Sequence, residues 1–111
     1  MGTRSALLIS SNEYQDAFFS QLETPENDVQ ALADVLRDPR IGNFTAKTLF
    51  NEPSHIVLEE IEELFAEKKK DDLVLLYFSG HGIKDLNGKL YLAMPNTKQN
   101  RLRATAVGIK N

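Results

Sequence analysis

No cysteine occurs among the 111 residues, and histidine occurs only twice. The first absence excludes disulfide staples, thiolate metal sites and a cysteine nucleophile within these residues. Two histidines without cysteine make a poor zinc site, so no metal is expected. No apolar run approaches the roughly 18 residues that span a bilayer. Met1-Gly2-Thr3-Arg4 also lacks the basic segment and long apolar stretch of an export signal. The expectation is a chain with no membrane partner and a cytoplasmic location. A basic excess is missing as well. Against 13 Lys and Arg stand 16 Asp and Glu, a formal charge of -3, which argues against nucleic acid as a partner. Internal repeats, low-complexity segments and phosphate-binding glycine motifs are all absent, and nothing implies a cofactor.

What is present suits one small globular domain over residues 1–111, with 41% hydrophobic and 26% charged residues. Ser5 to Ser11 (SALLISS) reads as a buried strand, too short and apolar for a helix. Asn12 to Glu23 reads as a loop whose Phe18 and Phe19 tuck under the following helix. Thr24 and Pro25 form a helix start, with acidic Glu26 and Asp28 in the positive first turn. Val29, Leu32, Ala33 and Leu36 make its apolar stripe, and Pro39 ends it by Asp38.

Thr45 to Phe50 is a second strand candidate. A second helix is expected from Ser54 to Lys70, with Val57, Ile61, Leu64 and Phe65 inward and Lys68, Lys69 and Lys70 matching its negative end. Leu73 to Ser79 (LVLLYFS) is the most hydrophobic stretch and reads as a central strand buried on both faces. Gly80-His81-Gly82 then leads into a polar loop, an Asn87-Gly88 turn signal and a short returning strand, Lys89 to Ala93. Alternating strands and helices predict an α/β fold with a parallel sheet and right-handed crossovers.

In such a sheet the carboxyl ends of the strands and the amino ends of the helices after them share one rim, where ligands bind. That topology puts His81 and Asp28 on the same rim. Glycines on both sides of His81 let the backbone turn sharply and leave the imidazole and the next amide uncovered, as a general base beside an oxyanion site requires. A histidine between glycines is also an ordinary turn residue, and Asp28 is also an ordinary helix-terminal acid. His55 lies away from any carboxylate cluster. Asp85-Leu86-Asn87-Gly88 matches only part of a calcium loop and reads as a turn. A phospho-receiver needs a carboxylate at the end of the third strand, where this chain has Ser-Gly-His-Gly.

ALLISSNEY, TPENDVQALADVL, LFNEPS, DDLVLLYFSGHG and NGKLYLAMPNT together resemble the prokaryotic caspase-like cysteine peptidases related to metacaspases. The likeness runs from about Leu7 to Val107. It implies a three-layer fold, a mostly parallel sheet with helices on both faces, incomplete at its C-terminus. It also implies that His81 assists a cysteine thiolate and that the Gly82 N–H serves the oxyanion hole. Asp28 and Ser79 would line a pocket for a basic residue of a peptide or protein substrate, a buried carboxylate there pairing with Arg or Lys. Ser79 taken alone is a structural hydroxyl. In caspases the cysteine follows the histidine by roughly 50 residues, a distance the chain does not reach before Asn111. The expectation is therefore an endopeptidase fragment without turnover of its own. The alternative is an inactive interaction or regulatory module, a homo-oligomer joined through the exposed edge of strand 73–79.

Overall fold

The computed structural model describes residues 2–23 and 26–109. Strand β1 (Arg4–Ser10), helix α1 (Glu26–Arg37), β2 (Thr45–Phe50), α2 (Ser54–Phe65) and β3 (Leu73–Ser79) alternate along the chain. β1 takes both other strands as parallel neighbours, in the order β2-β1-β3. The helix start expected at Thr24 and Pro25 lies outside the described residues.

Alternation along β1 builds the layers, because successive side chains point to opposite faces of a sheet. Ala6 and Leu8 meet Val29 and Ala33 of α1, with Leu32 and Leu36 at the margin. Leu7 and Ile9 meet Val57 and Leu64 of α2 on the other face. All four β1 residues are buried, as a strand covered by a helix on each side requires. Each large aliphatic side chain so buried stabilises the fold by about 1.5–3 kcal/mol. The fold is thus α/β, with helices on both faces of a parallel sheet. No helix among the described residues is long and apolar enough to cross a membrane.

Beyond β3 the chain makes a second, antiparallel sheet. Strands β4 (Gly82–Lys84), β5 (Leu90–Leu92) and β6 (Val107–Ile109) lie in the order β4-β5-β6. The Asn87-Gly88 signal marks its hairpin, with Gly88 at φ 82°. Asp85 stabilises that turn by accepting from the Asn87 and Lys89 N–H groups, so its carboxylate is already engaged. A 3-10 turn (Gln99–Arg101) and the short helix α3 (Leu102–Thr105) precede β6.

Four expectations are corrected. β1, not β3, is the central strand; β3 has a neighbour on one side only among the described residues, and Leu73 is 53% exposed. Both runs are continuously apolar, and composition alone does not tell a middle strand from an edge. α2 ends at Phe65, itself exposed, because Ala66 is extended and Glu67 adopts φ 55°. Lys68, Lys69 and Lys70 therefore lie in the return loop, where the Asp72 carboxylate accepts from the Lys69 and Thr3 N–H groups. Phe19 packs with Tyr14 and Ala93 rather than under α1, and Phe18 is 59% exposed. The segment after His81 is strand β4, too short for periodicity to reveal.

Candidate active site

The apolar run of β3 delivers Ser79 to the carboxyl rim, paired with Ser10 of β1. Only Gly80 and His81 separate β3 from β4, so the histidine stands where one sheet gives way to the other. Gly80 is not left-handed; its role is close approach. A Cβ there would lie 2.8 Å from the Ser11 carbonyl oxygen and 3.0 Å from the Tyr14 hydroxyl. The sharp glycine turn expected from the sequence is thus replaced by a tight crossing of chains.

His81 is half-buried, its ring tilted against Tyr14 and Phe19 at centroid distances of 5.1 and 5.8 Å. Its Nε2 lies 2.9 Å from the Ser20 carbonyl oxygen. A carbonyl only accepts, so Nε2 carries a proton in this contact, and whenever the ring is neutral the lone pair is on Nδ1. Nδ1 is therefore the nitrogen at which the neutral ring can accept a proton. Sequence reasoning found the histidine but neither Ser20 nor Tyr14, because these contacts join residues far apart in the chain.

Gly82 opens β4, the edge strand of the small sheet. Ala93 N–H donates to the His81 carbonyl, and Asp85 N–H donates to the Lys89 carbonyl. In the alternating antiparallel pattern, Gly82 opposite Leu92 is then a non-hydrogen-bonded pair. Its N–H points off the sheet edge, away from β5, as an oxyanion donor must.

A cavity of about 420 Å³ opens beside these groups, lined by Ala17, Phe18, Phe19, Ser20, His81, Gly82 and Ile83. A larger hollow, about 870 Å³, includes Thr3, Arg4, Thr45 and Leu73, at the amino ends of the strands and so at the other rim.

Ser79 is half-buried at the end of β3, and its carbonyl accepts the Ser11 N–H at 2.9 Å. The neighbouring Ser11 hydroxyl is buried without a hydrogen-bond partner among the described residues. Asp28 sits in the first turn of α1 and is exposed, not the buried carboxylate expected, because α1 turns this side chain away from its Val29 and Ala33 face. No hydrogen bond or ion pair joins it to His81 among the described residues. The structure therefore gathers Ser79, His81 and Gly82 around one strand end, and Asp28 lies exposed in the first turn of the helix that follows β1. His55 is exposed on α2, and no group of three or more His, Cys, Asp or Glu able to hold a metal occurs among the described residues.

No individual curated protein matches this chain. A family model does, and its match covers residues 3–102, from the first residues of β1 through the whole of the His81 site. The chain therefore belongs to the caspase domain family, a cysteine-peptidase type of domain.

Proposed function

We propose that this chain carries the base half of a cysteine endopeptidase site of the metacaspase-related kind, with the nucleophilic thiol supplied from outside these 111 residues. The observation that supports it most is the Nε2 hydrogen bond to Ser20, which leaves Nδ1 as the proton acceptor. Nδ1 takes the thiol proton as sulfur attacks the peptide carbonyl, and the Gly82 N–H donates to the developing oxyanion. The proton then passes from Nδ1 to the leaving amine, and water cleaves the thioester. Asp28 acts from the surface of the rim, with Ser79, in favouring an Arg or Lys side chain before the scissile bond.

The test uses a peptidyl-arginyl electrophile on two polypeptides. The isolated chain, having no thiol, is expected to stay unlabelled. The longer polypeptide encoded in frame is expected to take one label, on a cysteine roughly 50 residues past His81, and to lose that labelling in His81→Ala. Labelling of the isolated chain, or none of the longer one, overturns the proposal.

A second reading, an interaction module, draws on a different observation: among the described residues β3 has an open strand edge, with Leu73 53% and Leu75 36% exposed. Open edges recruit further strands. Sedimentation at increasing concentration is expected to show dimers that Leu75→Lys abolishes. A single monomeric species at every concentration counts against it.

A further inference from the structure

The reading of His81 as the base leaves open what holds it there. The Ser20 contact has two ends, and both lead to Tyr14. At the histidine end, the His81 backbone N–H donates to the Tyr14 hydroxyl at 3.0 Å, and that hydroxyl donates in turn to the Ser11 carbonyl at 2.7 Å. The phenol thus bridges the end of β1 to the joint that carries the imidazole. At the other end, the Tyr14 N–H donates to Gln21 Oε1 at 2.8 Å, and Gln21 Nε2 donates to the Tyr14 carbonyl at 2.9 Å. This pairing closes the loop whose next residue back, Ser20, supplies the acceptor for Nε2. The tyrosine ring is buried, lies 5.4 Å from Phe19, and covers one side of the imidazole.

Space filling alone does not call for a hydroxyl here; a phenylalanine has the same ring. The hydroxyl is used twice, once as donor and once as acceptor, with both partners on the main chain. We propose that Tyr14 is a positioning residue for His81, fixing the histidine backbone through its hydroxyl and the Ser20 loop through its own backbone. The inference rests on the proposed function for its catalytic meaning, but its test does not depend on turnover.

The test is nitrogen NMR of the imidazole and amide exchange in the chain as it stands. The wild-type ring is expected to show one tautomer, protonated at Nε2. In Tyr14→Phe the His81 amide is expected to exchange roughly tenfold faster, having lost its acceptor, and the ring signals to move toward a two-tautomer average. If both observables stay unchanged in a folded variant, Tyr14 only fills space and the proposal falls. Should Tyr14→Phe fail to fold, 3-fluorotyrosine at position 14 keeps the packing and weakens the oxygen as acceptor. The His81 amide proton is then expected to shift while those of Ile83 and Lys84 hold still; an unmoved His81 amide overturns the proposal. Failure of the electrophile experiment with these NMR results intact would remove the peptidase reading and leave the positioning contact standing.

Discussion

Gly80 and Gly82 flank the same histidine, yet their surroundings make different demands on them. A Cβ at 80 would come within 2.7 Å of Phe78 Cζ and 2.8 Å of the Ser11 carbonyl oxygen, and the carbonyl belongs to a strand end that has little room to move. A Cβ at 82 meets only the tip of Leu90, at 3.3 Å, and a more distant carbonyl. Gly80→Ala is therefore expected to cost about 1–3 kcal/mol in urea denaturation, and Gly82→Ala under about 1 kcal/mol. Equal losses at the two positions would contradict the crowding described here. The tripeptide marked His81 as worth attention, and the rim geometry of a parallel sheet told where to look. The partners that set its tautomer were not legible, since Tyr14 and Ser20 are separated from it by 67 and 61 residues. No periodic pattern encodes a hydroxyl meeting a distant main-chain amide.

Elements were easier to read than their ends or their neighbours. β2 and β3 occupy the ranges their apolar runs mark, and β1 differs by one residue at each end. The three lysines after Phe65 misled because they suit a helix end electrostatically, whereas the Asp72 carboxylate holds that loop in another shape. β6, only Val107–Ile109, is too short to announce itself. The start of α2 shows why helix boundaries escape local rules. Pro53 at its N-cap position offers no side-chain acceptor, and the cap comes instead from Asn96. Asn96 Oδ1 accepts the Ser54 N–H at 2.8 Å, and Nδ2 donates to the Ser54 hydroxyl at 3.0 Å. Asn96→Ala is expected to destabilise the fold by about 1 kcal/mol. Asn96→Asp retains the acceptor and adds a negative charge at the positive helix end, so it is expected to recover part of that loss. Urea denaturation midpoints of the two variants check the order.

The molecule as a whole is tied across long sequence distances by carboxylates. Asp16, in the loop after β1, accepts the N–H of Gln99 at 2.8 Å and of Phe18 at 3.0 Å. The Gln99 amide first, then the Phe18 amide, holds the Asp16 carboxyl below its ordinary value. Asp72 is lowered in the same way by the Lys69 and then the Thr3 amides. A carboxyl lowered by folding contributes stability that is fully present above its unfolded pKa, near pH 4. That contribution is lost as pH falls through the lower folded value. Thermal unfolding is thus expected to be insensitive to these groups from neutrality down to about pH 4 and to weaken progressively below it. Asp16→Asn is expected to flatten that acid slope, and an unchanged slope would show that Asp16 does not contribute to it.

Because β3 and β4 belong to different sheets, the imidazole stands on a joint only two residues long. The His81 carbonyl is held by Ala93 beside the small sheet while its N–H is held by Tyr14 beside the large one, so the place of the ring is set jointly by the two sheets.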